Sequence, residues 1–190
     1  MIVCIIRHGQ TEWNKKSLFQ GISDNELNEK GINQATEVGL YLLNNDKDWD
    51  VFISSPLKRA KQTAEIIKEK IGFKDQIQID NDFVERKFGI LEGLEINEAI
   101  LNLIDQEITE GLETKADLQI RSLNALLNLE EKYKDKKILA FSHAQFIKSI
   151  ITQLDPKYNF RSLLKNSSMN YFEIKNRKIR VIKINISAKD

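Results

Sequence analysis

Cysteine is almost missing from this chain: Cys4 is the single one in 190 residues. An intrachain disulfide is therefore excluded, and a reducing compartment is the expected setting. Cys4 lies in the apolar run Met1–Ile6, where a buried, inert thiol is expected. That run is too short for the hydrophobic segment of a secretion signal, and no stretch reaches the ~20 apolar residues of a membrane span. A cytoplasmic protein with no membrane partner is the expectation. Proline is scarce (Pro56 and Pro156), and no Pro/Gly/Ser-rich linker, repeat or low-complexity segment divides the chain. A single domain over residues 1–190 is expected. Two histidines and one cysteine cannot build a His/Cys zinc site, and no acidic run has calcium-loop spacing. There is no phosphate-binding glycine loop of the Walker type and no dinucleotide fingerprint, so no metal and no cofactor are expected. The formal net charge is only +1, so no global field favours nucleic acid, and an anionic ligand must be held by a local cluster.

What is present is an ordinary globular balance, 41% hydrophobic and 30% charged. Strand-like and helix-like segments alternate, which predicts an α/β fold: three layers, a mostly parallel central sheet with helices on both faces, and a C-terminal β-hairpin. Ile2–Ile6 reads as a strand buried on both faces. Residues 7–27 show no clear period and read as a long loop, a common home for function. Asn28 is a helix N-cap candidate, followed by Ile32, Ala35, Val38, Gly39 and Leu42 at helical spacing. After a strand at Val51–Ser54, Ser55 as N-cap and Pro56 at the first helical position predict a helix with Leu57, Ala60, Ala64, Ile67 and Ile71 inward. Residues 77–80 suggest a short strand, and a second loop runs from about Asp82 to Gly93. Thr114 with Asp117 resembles a capping box, followed by a helix with Leu118, Leu123, Leu126 and Leu127 inward. Lys137–Ser142 is a strand, then His143 and a helix to about Leu154. Met169–Ile174 and Ile179–Ile184 flank a turn at Asn176-Arg177.

In open parallel sheets, ligands bind beyond the carboxyl ends of the strands. Arg7 and His8 follow the first strand, Arg59 follows the second by a few residues, and His143 follows the Lys137–Ser142 strand. If these strands are parallel neighbours, the four residues converge. Arginine holds phosphate bidentately and keeps its charge. A neutral imidazole is available as a nucleophile near neutral pH, and flanking arginines disfavour its protonation. Gly9 would let the backbone turn closely beneath a phosphate. Taken singly, an Arg-His-Gly turn or a histidine after a strand is more often structural.

Several motifs together point further. Arg7-His8-Gly9-Gln10-Thr11-Glu12-Trp13-Asn14 resembles the opening signature of the histidine phosphatase superfamily, the phosphoglycerate mutase-like proteins. Gly21-x-x-Asp24-x-x-Leu27 resembles the segment that follows it. Ser54-Ser55-Pro56-Leu57-x-Arg59-Ala60-x-Gln62-Thr63-Ala64 resembles the second motif, and Glu85 through Phe88-Gly89-x-Leu91-Glu92-Gly93 the acid loop. Ser142-His143 is similar to the final catalytic motif, and Asn166-Ser167-Ser168 to a segment before the last strands. The matches come in family order and span nearly the whole chain. The resemblance implies a metal-independent phosphatase in which His8 is the nucleophile that becomes phosphohistidine. Arg7, Arg59 and His143 would hold the phosphoryl oxygens, with His143 adding a third positive charge if protonated. Glu85 would be the general acid and then the base that activates water. Asn14, Gln20 and Gly21 would line the phosphate side, and Ala144 stands where the family usually has glycine. Leu91 replaces a common tryptophan, and Gly111-Leu112-Glu113-Thr114 carries an extra residue relative to the family's Gly-Glu-Ser segment. Trp13 could border the site, and Trp49 is expected near the edge of the second strand.

The leading expectation is hydrolysis of a small phosphorylated metabolite. Phosphoglycerate mutase-type transfer is one alternative, disfavoured because Lys115 is the only basic residue in 94–120. A catalytically silent phospho-ligand or protein-binding module is another. Monomer and homodimer both stay open, with the closing hairpin as one pairing edge.

Overall fold

The computed structural model describes residues 1–189. One six-stranded sheet runs in the order β3-β2-β4-β1-β5-β6. Its members are β1 (Ile2–Arg7), β2 (Val51–Ser54), β3 (Gln78–Ile79), β4 (Lys137–Ser142), β5 (Met169–Lys175) and β6 (Lys178–Ile186). β1, β2, β3 and β4 are mutually parallel, whereas β5 and β6 run antiparallel as a closing hairpin. Its turn, Asn176-Arg177, takes positive φ at both residues, as two-residue hairpin turns require.

Side-chain alternation along β1 sets the layers. Val3 and Ile5 pack with Phe146, Ile147 and Ile150 of α6 (Ala144–Leu154) and with Leu126 and Leu129 of α5 (Lys115–Lys132). Cys4 and Ile6 point the other way, onto Val38 and Leu42 of α2 (Glu29–Asn45) and Ala60, Ala64 and Ile67 of α3 (Lys58–Ile71). Each face therefore carries its own core, and each fully buried aliphatic side chain contributes about 1.5–3 kcal/mol. Cys4 is fully buried, and that burial pushes its thiol pKa up, which leaves it a small inert hydrophobe.

Several expectations need correction. The stretch 7–27 is not all loop: α1 (Glu12–Lys15) forms there, closed by a capping box between Thr11 and Asn14. α3 begins at Lys58 with Leu57 as its cap, because Ser55 still extends the ladder, its N–H donating to the Phe141 carbonyl at 3.0 Å, and Pro56 and Leu57 form the bend that follows. Ile32 lies on the solvent side of α2, and Gly31 takes the inner position. On α5 the inward face is Leu118, Ser122, Ala125, Leu126 and Leu129, with Leu123 and Leu127 at its flanks. A further helix, α4 (Glu98–Gln106), occupies the stretch where no element was expected, capped by Asn97 and ended by Glu107 in the left-handed region. Trp49 sits where expected, buried just before β2 and under Lys137.

Candidate active site

β1 and β2 both flank β4, so their carboxyl ends share one edge. Arg7 pairs in register with Ser142, and Ser54 with Phe141. The ladder continues one residue further: the His8 N–H donates to the Ser142 carbonyl at 3.0 Å. His8, Ser55 and His143 thus emerge side by side. The two imidazole rings lie 5.2 Å apart.

His8 is 2% exposed. Its Nδ1 lies 2.7 Å from the carbonyl oxygen of Gly9. A carbonyl can only accept, so Nδ1 carries the proton and Nε2 keeps its lone pair. Burial holds the ring pKa well below its ordinary value, and the charges of Arg59 and Arg7 push it further down. The arginines do act in the expected direction, but desolvation is the larger cause. Gly9 itself has no left-handed φ. A Cβ there would stand 2.5 Å from the Gly31 carbonyl oxygen, so the glycine permits close passage of the first turn of α2. Its N–H donates to Thr63 Oγ1 at 3.0 Å, which ties the turn to α3.

His143 is the N-cap residue of α6, yet its side chain does not cap. Nε2 lies 2.8 Å from Ser55 Oγ, and Nδ1 is buried without a partner. Burial, reinforced by Arg59, His8 and Arg7, holds its pKa well below the ordinary value, so these surroundings favour the neutral ring at physiological pH. The expected third positive charge is thus disfavoured. Ala144 opens α6 with no positive φ, so alanine is unstrained at a position where the family usually has glycine.

The vacant cap is taken by Glu85. Its Oε1 accepts from the backbone N–H groups of Gln145 at 3.0 Å and Phe146 at 3.1 Å, and from Arg86 N–H at 3.0 Å. A carboxylate at a helix N-terminus meets both unsatisfied donors and the positive end of the helix dipole. The loop carrying Glu85 is braced by Arg121 of α5. Its guanidinium donates to the carbonyls of Asp82 and Val84, and forms a two-pronged bond to Glu113 with both contacts at 2.9 Å. Buried Arg86 adds bonds to the Glu113 carbonyl and to Glu107.

Arg59 is fully buried and donates to the carbonyls of Gly21 and Ser23, each at 2.7 Å. The Gln20 amide lies between Thr11 Oγ1 and Arg59, its oxygen accepting from Arg59 Nε at 2.7 Å. Arg7 donates to the Leu164 carbonyl at 2.5 Å, and its buried Nε has no partner. Burial pulls both guanidinium pKa values down to about 10, which leaves both charged at neutral pH. Asn14 Oδ1 accepts from Asn166 Nδ2 at 3.1 Å, and the same amide donates to the His8 carbonyl. Glu92 ties this side together by accepting from Ile22, Ser23 and Phe88 N–H. Burial opposes its charge, but these bonds outweigh it and hold the carboxyl below its usual range.

A cavity of about 370 Å³ opens over this edge. Arg7, His8, Asn14, Gln20, Glu85 and Ala144 line it. Arg59, His143 and Gly21 are not among these lining residues but lie beside His8: the His143 ring is 5.2 Å away, the Arg59 charge depresses both histidines, and Arg59 binds the Gly21 carbonyl. Trp13 packs against Gly93 and is not part of the lining. Sequence reasoning missed Ser55 as the His143 partner, and also Gln145, Lys148 and Arg161 in the lining. Lys148 had a legible signal, since it follows Ala144 by one helical turn. Among the described residues, no cluster of three or more His, Cys, Asp or Glu could hold a metal ion, and no helix is long and apolar enough to cross a membrane.

This geometry has counterparts. The chain is 35% identical over 189 residues to the phosphatase PhoE of Bacillus subtilis, covering 98% of this chain and 95% of that one. It is 29% identical to a metal-independent phosphoserine phosphatase of Arabidopsis thaliana, covering 93% and 77%. A phosphoserine phosphatase mutant from Entamoeba histolytica, solved with phosphoserine, superposes with a TM-score of 0.80 at 28% identity, over 97% of this chain and 96% of that one. The family profile of the histidine phosphatase superfamily, branch 1, matches residues 3–187. The chain therefore belongs to branch 1 of the histidine phosphatase superfamily.

Proposed function

We propose that the protein hydrolyses small phosphate monoesters through a phosphohistidine on His8, without a metal ion. The observation that carries this is the His8 tautomer: Nδ1 is committed to the Gly9 carbonyl, so Nε2 is an unprotonated, buried nucleophile among arginines.

In this reading, His8 Nε2 attacks phosphorus and the ester oxygen leaves. Glu85 donates a proton to that oxygen and later takes one from the water that cleaves the phosphohistidine. Arg7, Arg59 and neutral His143, through Nδ1–H, hold the peripheral phosphoryl oxygens, where charge spreads in the transition state. Asn14, Gln20, Gly21 and Ala144 shape the phosphate side. The two arginines supply the charge compensation that a metal would otherwise give, and the neutral imidazole adds a hydrogen-bond donor. The relatives named as phosphatases, one of them metal-independent and acting on phosphoserine, support this reading. A small phosphorylated metabolite suits the cavity volume.

The test is release of phosphate from 4-nitrophenyl phosphate in excess chelator. Wild type should turn over and His8→Ala should not. Rapid denaturation during turnover should trap a phosphoenzyme that is labile to acid and stable to base. Absence of phosphate release from wild type would overturn the reading.

A further inference from the structure

We propose that Lys148 is the specificity-determining residue of this cavity, selecting phosphate monoesters whose alcohol part carries a second anionic group. The proposal rests on the phosphatase reading above and names a substrate class for that site.

Lys148 lies one helical turn after Ala144 on α6 and lines the same cavity as His8, Arg7 and Glu85. Its Nζ donates to the Phe160 carbonyl at 3.1 Å. An ammonium group has three donors, so this bond leaves others unspent. Among the described residues, no carboxylate comes within ion-pair distance of Lys148. Arg161 of the same lining differs, because Glu98 and Asp105 both hold it at 2.7 Å. Arg7 and Arg59 already answer the phosphoryl charge. Lys148 is therefore a surplus cation of the cavity, beyond the two arginines that answer the phosphoryl group.

A half-buried ammonium without a counter-ion is costly, and the cost shows in its acidity. Burial, with Arg7 adding repulsion and Glu85 opposing it, lowers the Lys148 pKa from its ordinary value to about 8. A carboxylate or second phosphate on the ligand would supply the missing partner. Apolar Leu18, Phe19, Ile96 and Leu163 make up part of the remaining lining, and its neutral polar groups, Gln145 and Ser162, carry no charge to answer a second anion.

The test compares two esters of similar size, 3-phosphoglycerate and glycerol 3-phosphate, which differ in a carboxylate against a hydroxymethyl group. Binding is measured by calorimetry on His8→Ala protein, so it does not depend on turnover. The expected result is tighter binding of 3-phosphoglycerate, with the ratio of the two Kd values falling about ten- to a hundredfold in His8→Ala/Lys148→Met. His8→Ala/Lys148→Arg should keep most of the preference. In the Lys148 protein the ratio should also fall as pH rises from about 7 to about 10, because the ammonium loses its proton. The charged and titratable groups facing Lys148 are Arg7, Glu85, Arg161 and the residue at the His8 position; the Lys148→Met protein keeps them all, so its ratio at each pH is the control for their effect, including Arg7 as it titrates at about 10. An unchanged ratio, an equal weakening of both esters, identical ratios for the Met and Arg variants, or a ratio indifferent to pH would each overturn the proposal. Failure of wild type to release phosphate would count against the hydrolytic reading instead, and is read separately.

Discussion

Glu85 accepts the backbone N–H of Gln145 at 3.0 Å, so the acid loop is clamped onto the helix that begins directly behind His143. One carboxylate thus stands in for a helix cap and faces the cavity. The two duties separate by substitution. Glu85→Gln keeps an acceptor oxygen for the cap but has no acidic proton. It should lose about 100- to 10,000-fold in kcat with its urea midpoint nearly unchanged. Glu85→Ala should lose the cap too, at about 1 kcal/mol of stability. Full activity in Glu85→Gln would refute the proton-transfer role.

Ser55 is the hydrogen-bond partner of His143, its Oγ 2.8 Å from Nε2. Its Oγ accepts from Leu57 N–H at 3.3 Å, which leaves the hydroxyl proton for His143 Nε2. In the reading proposed above the ring proton is on Nδ1, the unpartnered nitrogen, and Ser55 donates to Nε2. Ser55→Ala should free the tautomer and lower kcat about ten- to a hundredfold, by analogy with partners that orient other functional histidines. The decisive readout is the ¹⁵N shift pattern of His143. It should report the Nδ1–H form in wild type and a mixture in the variant. A shift pattern unaffected by Ser55→Ala would show the serine to be merely structural.

These two residues also show where sequence reasoning reaches. β1 and β4 were legible because a strand buried on both faces leaves an unbroken apolar run, and the parallel-sheet rule then brought Arg7, His8 and His143 to one edge. Ser55 was misread because Ser-Pro before an amphipathic stretch carries the chemistry of a helix start, while one more ladder bond to β4 holds Ser55 at the strand end and Pro56 only begins the bend into α3. α4 went unread although Asn97 is a favoured cap and Ile100, Leu101 and Ile104 recur at helical spacing, because no family motif covers that stretch and Glu107 rather than a glycine takes the left-handed end. Lys148 was passed over because a helical lysine is ordinarily solvated, and only the Phe160 carbonyl and the cavity wall of residues 161–164 make it a half-buried cation of the site.

The Arg121–Glu113 pair should act on catalysis without touching the cavity. Arg121 binds the Asp82 and Val84 carbonyls on the approach to Glu85, and Glu113 fixes its guanidinium with two contacts. Both side chains are mostly buried, at 20% and 12% exposure, so screening is weak. Arg121→Met should lower kcat more than it raises KM, because Glu85 would lose its fixed position. Arg121→Lys should rescue little, since an ammonium cannot reproduce the planar fork. A double-mutant cycle with Glu113→Gln should give a coupling of about 1–3 kcal/mol in stability. Additive losses would mean that the two residues act independently.

Acid should unfold this protein earlier than its carboxylates alone would dictate. Burial, with neighbouring arginines, holds His8 and His143 well below the ordinary histidine pKa near 6.5. In the unfolded chain both take up protons around that value. Below it, the unfolded state binds more protons than the folded state, so stability rises with pH there. The contribution of the two neutral rings is intact above about pH 6.5 and is lost as pH falls toward their folded pKa values. Each ring should add a slope of about 1.4 kcal/mol per pH unit in that window. The depressed carboxyls of Asp50, Glu92 and Asp105 act in the same direction but only at lower pH, nearer their ordinary values around 4. Urea titrations between about pH 5 and 7 should therefore show a slope that His8→Gln roughly halves. Saturating orthophosphate should flatten it, since a dianion beside Arg7 and Arg59 favours protonated imidazole. A wild-type stability independent of pH across this window would mean that the rings are protonated in the fold, and the neutral nucleophile at His8 would have to be abandoned with them.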